Sequence, residues 1–433
     1  MRVLVIGSGA RENAIADALL HGGTELYAYM STKNPGIYKY CRGYTTGNLE
    51  DAKGIGDFAT ANKVELAVVG PEAPLAAGVA DELIRIGVKC FGPTKELAKL
   101  ETSKAFLRSL LEKYRINASP KFRVFRNYDE KGMLDLLEEL GEYVIKPDGL
   151  TGGKGVKLSG EHLAGKEDAL AYCEEVLQGH GCVIIEEKLY GEEFSLQTIA
   201  DGMTAIDCPA VQDHKRAYEN DEGPNTGGMG SYSDSNHSLP FLQKEDLEEA
   251  HEITVRVMRA LKKETGSFIG IMYGGFMATK KGVKLLEYNA RFGDPEAMNV
   301  LPLLKGKLAD VCAAAANEEL GSARVEFEKK ATVCKYVVPE GYPDRPVISK
   351  IEIEKLPNAL TYHAAVEERE DGLYTTKSRA VAFVGVADTI EEAEKIAEDA
   401  ANGVKGSVYH RKDIGTKELV QKRVEHMRRI MNG

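Results

Sequence analysis

Leu285-Leu286-Glu287-Tyr288-Asn289-Ala290-Arg291-Phe292-Gly293-Asp294-Pro295-Glu296 reads as an apolar strand that turns polar at every second residue and runs into a turn. Side chains of a strand alternate between faces, so Glu287, Asn289 and Arg291 share one face while Leu286, Tyr288 and Ala290 can pack into a core. A carboxylate and an amide oxygen are hard ligands suited to Mg²⁺, which takes one or two protein oxygens and fills its shell with substrate phosphates. Arg291 adds a planar fork for phosphate or carboxylate oxygens. An amphipathic edge strand with a solvated face gives the same pattern over these three residues. The turn at 293–296 favours a site, because it starts a helix after the polar face and brings in Asp294 and Glu296.

Toward the amino terminus, strand-like runs at 3–6, 26–30, 64–69 and 88–91 alternate with helical patterns at 13–20 and 76–86. That order predicts a doubly wound parallel sheet, whose ligand sites lie at the carboxyl ends of strands. Two loops fall there, Gly7-Ser8-Gly9-Ala10-Arg11-Glu12 and Gly70-Pro71-Glu72-Ala73-Pro74-Leu75. The first resembles a dinucleotide fingerprint, but Glu12 stands where a third glycine belongs and no acidic residue closes the second strand. A small anion is therefore the expected occupant, with plain turn geometry as the alternative.

A boundary is expected near Gly92-Pro93-Thr94, followed by a helix at 102–114. From residue 143 onward, strands at 143–147, 155–158, 182–189, 194–200 and 204–209, with a helix at 167–178, read as α+β. Between the first two strands lies Asp148-Gly149-Leu150-Thr151-Gly152-Gly153-Lys154-Gly155, whose glycines let backbone N–H groups approach an anion while Lys154 brings charge. It does not match the GxxxxGK[ST] pattern, and a solvated hairpin is the competing reading. Lys146 ends the apolar run just before this loop, an odd choice for a bare strand end. The run 183–189 is an apolar strand leading into Glu186 and Glu187, with Glu193 beyond; its end could offer backbone groups to an adenine edge. Gln212-Asp213-His214-Lys215-Arg216 and Gly223-Pro224-Asn225-Thr226-Gly227-Gly228-Met229-Gly230 form the third constellation, a loop of the sort where binding residues concentrate.

Composition narrows the classes. At 433 residues the chain exceeds one core and should divide into three or four units. A net charge of −11 argues against nucleic acid as the main partner, since phosphate backbones need a basic face. Seven cysteines without a CxxC pair predict a reduced, cytoplasmic setting with no structural zinc. No apolar run reaches the length of a membrane span, so no membrane partner is expected.

Taken in order, a lysine opening a helix, a lysine before a glycine loop, an acidic strand end and E-x-N-x-R resemble the ATP-grasp fold. More narrowly, GPEAPL, KPDGLTGGKG, EEKLYGEE, QDHKR, GPNTGGMG, EYNARFGDPE and HRKDIG (410–415) resemble the phosphoribosylamine–glycine ligase family, from Val3 to about Gly415. The resemblance implies an amino-terminal doubly wound domain (1–103), an ATP-grasp domain of two α+β subdomains (104–328, with a mobile lid at about 120–192) and a carboxyl-terminal α/β domain (329–433). It implies that Lys104 and Lys146 contact nucleotide phosphates under a cover of Gly152, Gly153, Lys154 and Gly155. Glu186, Glu187 and Leu189 would hold adenine, and Glu193 the ribose. Glu287 and Asn289 would ligate Mg²⁺ or Mn²⁺, while Arg291, Asp294 and Lys215 would serve the phosphoryl transfer. Gly9, Arg11, Glu12, Pro71, Glu72 and Pro74 would surround phosphoribosylamine and glycine from one side. Asp213, His214, Asn225, Thr226, Gly227 and Gly228 would do so from the other.

Three positions depart from the family's usual pattern: Asn13 replaces a histidine, Pro147 replaces an alanine, and residues 271–277 offer no metal carboxylate. The implied reaction is ATP-dependent joining of glycine to 5-phosphoribosylamine through an acyl phosphate, by a monomer or weak dimer. Another ATP-grasp ligase or a bicarbonate-using carboxylase would share the nucleotide residues. A non-catalytic nucleotide sensor and an oxidoreductase are the readings from other classes; Glu287 with Arg291 speaks against the first, and Glu12 against the second.

Overall fold

The computed structural model describes residues 1–150, 155–354 and 356–433. Its first layer is a parallel sheet in the order Gly43–Thr46, Glu25–Met30, Arg2–Ile6, Leu66–Val69, Lys89–Phe91. Val3, Leu4, Val5 and Ile6 are all fully buried, as expected of a central strand covered by helices on both faces. Strand order reverses beside Arg2–Ile6, which places Gly7 and Gly70 side by side at the switch point. The edge strand Gly43–Thr46 had no counterpart in the sequence reading; it is short and its residues alternate between half-buried and exposed. The helix expected at 76–86 is two helices, Glu72–Ala77 and Val79–Arg85, because Gly78 adopts a left-handed conformation (φ +87°) between them.

Asn13 donates to the Gly36 carbonyl (2.9 Å) and accepts from the His363 N–H (2.8 Å), tying the first helix to the carboxyl-terminal sheet. The helix expected at 102–114 divides at Ser103, whose hydroxyl caps the helix Lys104–Lys113 by accepting from Phe106 N–H (3.1 Å).

Two antiparallel sheets follow. One runs Phe122–Phe125, Val183–Glu187, Tyr143–Pro147, Lys157–Leu158, so the strand expected at 155–158 keeps only its last two residues. With the helices Glu130–Leu140 and Lys166–His180 it encloses a core of its own, built from Phe125, Met133, Leu137, Ile145, Cys173 and Ile185 among others. The other sheet runs Ala205–Asp207, Gly191–Asp201, Ile269–Thr279, Gly282–Asn289. Helix Lys244–Glu264 covers it, burying Ala250, Ile253, Thr254, Val257 and Leu261 along one stripe.

The carboxyl-terminal sheet takes two strands from earlier in the chain. Its order is Gln212–Asp213, Gly230–Ser233, Ala331–Pro339, Val381–Ala387, Ala359–His363. Among the described residues no helix is long and apolar enough to cross a membrane.

Candidate active site

The opening stretch does not keep strand alternation throughout. Gly275 pairs with Glu287 and Phe276 with Leu285, so Leu286 is an extra residue in a β-bulge. The phase of burial flips there: Val283 and Leu285 are buried before it, Tyr288 and Ala290 after it. Leu286, expected in the core, is half-buried instead and lines a small recess with Glu287. The strand ends at Asn289, so Arg291 stands in the following bend rather than on the strand.

The bulge is held by a residue that no motif or spacing singles out. Arg108 is 1% exposed and donates to the Leu285 carbonyl (3.1 Å), the Leu286 carbonyl (2.9 Å) and Glu186 Oε1 (2.6 Å). Lys146 takes the other Glu186 oxygen at 2.6 Å. Burial alone would push this carboxyl up, but Arg108 and Lys146 outweigh it and hold it down at about 2. The unfolded chain, with an ordinary value of 4.5, binds the proton first. The stabilisation is therefore full above about pH 4.5 and lost as pH falls toward 2. Between pH 5 and pH 3 the wild type should lose about 2 kcal/mol more unfolding free energy than Glu186→Gln, measured by urea titration. Parallel losses in the two proteins would refute the ion pair as the cause.

A cleft of about 380 Å³ opens between the parallel sheet, the two antiparallel sheets and the carboxyl-terminal sheet. Lys104, Lys215, Glu287, Asn289, Arg291 and Asp294 all line it, as do Arg11, Glu72, Asp213, Thr226 and Gly227. A cavity of about 620 Å³ lies elsewhere, beside Arg115, Lys121 and Arg123, and contains none of the predicted residues.

Charges in the cleft are paired across domains. Arg291 meets Glu72 (3.2 Å), Glu101 (3.0 Å) and the Phe292 carbonyl (3.1 Å). Glu101 also accepts from the Ala290 N–H at 2.7 Å, and burial pushes its carboxyl up despite the arginine. Burial raises Glu72 too, yet Arg291 and Arg11 bring it below the ordinary carboxylate range. Lys215 faces Glu193 at 3.3 Å, and that carboxylate, against burial, raises the ammonium's pKa. Burial would raise Glu287, but Lys215, Lys104, Lys146 and Arg291 together keep it ionised. Lys104 donates to the Gly149 carbonyl (3.0 Å) and is lowered by its burial. Asp294 accepts from Tyr336 (2.7 Å) and pairs with Arg379 (3.2 Å).

Asp213 differs from its neighbours. Its Oδ1 is buried with no hydrogen-bond partner, and burial with nearby Glu296 raises its carboxyl well above the ordinary range.

The remaining predicted residues are placed less directly. Glu12 reaches back to Gly9 N–H (2.6 Å) and pairs with Arg11 (2.5 Å). A Cβ on Gly7 or Gly70 would lie 2.5 or 2.3 Å from Glu12 Cγ, so this side chain fills the crevice a dinucleotide would need. Arg11 carries the loop's influence to the cleft, donating to the Phe292 carbonyl (3.2 Å). Pro71 caps the helix that carries Glu72, and Pro74 is buried within it. His214 is buried against Tyr232 and does not line the cleft. Thr226 anchors its loop on the Lys215 carbonyl through both N–H (2.7 Å) and hydroxyl (2.8 Å). Arg379, another residue without a sequence signal, donates to the Gly227 (2.6 Å) and Gly228 (2.9 Å) carbonyls. Asn225 is exposed on the same loop. Glu187 accepts from Lys121 N–H (3.1 Å), and Leu189 is half-buried beyond the strand end. The Gly155 carbonyl accepts from Tyr172 (2.9 Å). Gly152, Gly153 and Lys154 lie outside the described residues.

Residues 1–101, 102–297 and 332–417 match, in turn, the N, ATP-grasp (A) and C domains of phosphoribosylglycinamide synthetase. The chain belongs to the phosphoribosylglycinamide synthetase family. Similar relatives include proteins named phosphoribosylamine–glycine ligase from Methanococcus vannielii, 49% identical over 100% of both chains, and from Methanocaldococcus jannaschii, 50% identical over 99% of this chain and 100% of that one. A crystal structure of phosphoribosylamine–glycine ligase from Thermotoga maritima is similar at TM-score 0.79 and 28% identity, over 96% of this chain and 100% of the other. The fold alone is shared with a biotin carboxylase domain from Hydrogenobacter thermophilus (TM-score 0.73, 16% identity, 99% and 93% coverage). Membership in this synthetase family accords with a cleft where all three matched parts of the chain meet.

Proposed function

We propose that this chain joins glycine to 5-phosphoribosylamine at the expense of ATP, releasing glycinamide ribonucleotide, ADP and phosphate. The observation that carries the reading is the convergence of Lys104, Lys215, Glu287, Asn289 and Arg291 on one cleft, from segments far apart in sequence. Family membership supplies the substrates.

Glu287 and Asn289 fit a magnesium ion. Both oxygens face the cleft, and among the described residues no group of three or more His, Cys, Asp or Glu side chains could hold a metal. That sparse donor set suits an ion that draws its other ligands from phosphate and water. When bound, the ion neutralises charge on the transferring phosphoryl group. Manganese would satisfy the same two oxygens.

A glycine carboxylate oxygen attacks the terminal phosphorus of ATP, the bond to the bridging oxygen breaks, and ADP leaves. The phosphoribosylamine nitrogen then attacks the acyl carbon, and the carbon–oxygen bond to phosphate breaks. Arg291 and Lys215 stabilise the charge that develops on the phosphoryl oxygens. Lys104 and Lys146 hold the nucleotide phosphates. Asp213 accepts the proton that the attacking nitrogen loses, as its unpartnered oxygen and raised pKa suit it to do. Alignment of both substrates in one cleft contributes the rest.

Three units, 1–103, 104–328 and 329–433, with a lid at about 120–192, complete the proposal. The separate core of the lid supports its movement as a body. Seven free thiols, six of them buried, agree with a cytoplasmic setting, and the chain acts as a monomer or weak dimer.

Release of ADP, followed by a coupled assay with ATP and Mg²⁺, should require both glycine and freshly made phosphoribosylamine. Release that continues without glycine, or that bicarbonate supports in its place, would overturn the proposal in favour of a carboxylase.

A further inference from the structure

The segment 410–415 and the terminal helix Lys417–Asn432 contribute nothing to the cleft wall, yet their side chains reach the strands that form it. Arg411, fully buried, donates to Asp221 Oδ1 (3.0 Å), to the Arg216 carbonyl (3.1 Å) and to both oxygens of Asp413 (2.9 and 2.7 Å). Asp221 also pairs with Arg423 and lies 3.5 Å from His214 Nδ1. The other arm of Arg423 reaches Glu192 Oε2 at 3.5 Å.

From Glu192 the contacts return to their start. Glu192 is 4% exposed and takes His426 Nδ1 (2.5 Å) and Gln212 Nε2 (3.3 Å). Gln212 accepts from the Tyr232 hydroxyl (2.7 Å), and the Tyr232 ring stacks on His214 at 5.9 Å between centroids. Arg423 thus closes a ring through Glu192, Gln212, Tyr232, His214 and Asp221. Two members of that ring are chain neighbours of cleft residues. His214 stands between Asp213 and Lys215, and Glu192 precedes Glu193.

We infer that Arg423 is a positioning residue that sets the distance between Lys215 and Glu193, so the terminal helix controls phosphoryl transfer without touching substrate. The inference rests on the ligase reading given above. Its physical basis is the guanidinium fork: one planar cation satisfies two acids from separate segments, Asp221 and Glu192, and so fixes the distance between them. A lysine ammonium offers a point charge with no such geometry. Glu192 is buried, so it needs a counter-charge, and His426 alone gives one only when protonated.

The test uses the full chain with Arg423→Ala and Arg423→Lys. Steady-state kinetics are measured for all three substrates, and binding of a non-hydrolysable ATP analogue is measured by calorimetry. Displacement of Lys215 by a fraction of an ångström should lower kcat on the order of 10–100-fold in Arg423→Ala, with Arg423→Lys between it and wild type. Affinity for the ATP analogue should fall much less than kcat, because Lys104, Lys146 and Glu186 lie outside the ring and only the ribose contact expected of Glu193 adjoins it. Millimolar guanidinium chloride should restore part of the lost kcat in Arg423→Ala while leaving wild type unchanged. An unchanged kcat, or equal losses of kcat and nucleotide affinity without rescue, would overturn the inference. Should Arg423→Ala prove insoluble, the comparison of Arg423→Lys with wild type decides alone, on kcat against analogue affinity. Wild-type enzyme that fails to release ADP with glycine and phosphoribosylamine would sink the ligase reading instead.

Discussion

Glu287→Ala is expected to lower kcat/KM by at least about 10²–10³-fold while leaving the fold intact. This carboxylate is the only acidic member of the Glu287–Asn289–Arg291 face, and Lys215, Lys104, Lys146 and Arg291 all bear on it. In the proposed mechanism its removal takes away the anionic ligand for magnesium, and asparagine alone binds such an ion weakly. The surrounding cations keep other partners. Lys146 retains Glu186, Lys104 the Gly149 carbonyl, Lys215 Glu193, and Arg291 both Glu72 and Glu101. The melting temperature should therefore move by only a few degrees. Turnover and thermal melting, measured on the same preparation, check the two halves; near-normal turnover in saturating Mg²⁺ would remove Glu287 from the mechanism.

Arg108→Met should have the largest effect on stability, destabilising the protein by about 3–5 kcal/mol. Methionine matches the length of the arginine stem but leaves three acceptors stranded: Glu186 Oε1 and the carbonyls of Leu285 and Leu286. The Glu186 carboxyl would then depend on Lys146 alone. Because the same guanidinium joins the strand Val183–Glu187 to the bulge before Glu287, ATP affinity should fall as well. Urea unfolding and analogue binding measure the two consequences. A loss below about 1 kcal/mol would show that the bulge holds itself without Arg108.

The polar site was legible in the sequence wherever its pattern is local. Glu287 with Asn289, Lys104 at its helix start and Lys215 within its charged run each carry a spacing or context readable from neighbours. The parallel sheet was legible for the same reason, since apolar runs such as Val3-Leu4-Val5-Ile6 announce buried strands. What the sequence hid is everything decided by distance along the chain. Arg108 stands 177 residues from the Leu285 carbonyl it binds, Arg379 binds Gly227 across 152 residues, and Glu101 meets Arg291 only in the folded state. The bulge at Leu286 was hidden too, because period-two reasoning assumes an unbroken ladder, and the extra residue is visible only against its partner strand.

The first glycine loop carries a second argument that its sequence pattern does not supply. A missing third glycine argued against a dinucleotide by pattern; in the structure, Glu12 argues against it by volume, occupying the space over Gly7 and Gly70.

The carboxyl-terminal sheet has a consequence for how such a chain can be divided and inherited. Since Gly230–Ser233 pairs with Ala331–Pro339, a gene break before Ala331 would strand one side of a buried ladder and leave its amides open to stray association. The last quarter of this polypeptide, from Ala331 on, is therefore not a cassette that evolution or an engineer can exchange on its own.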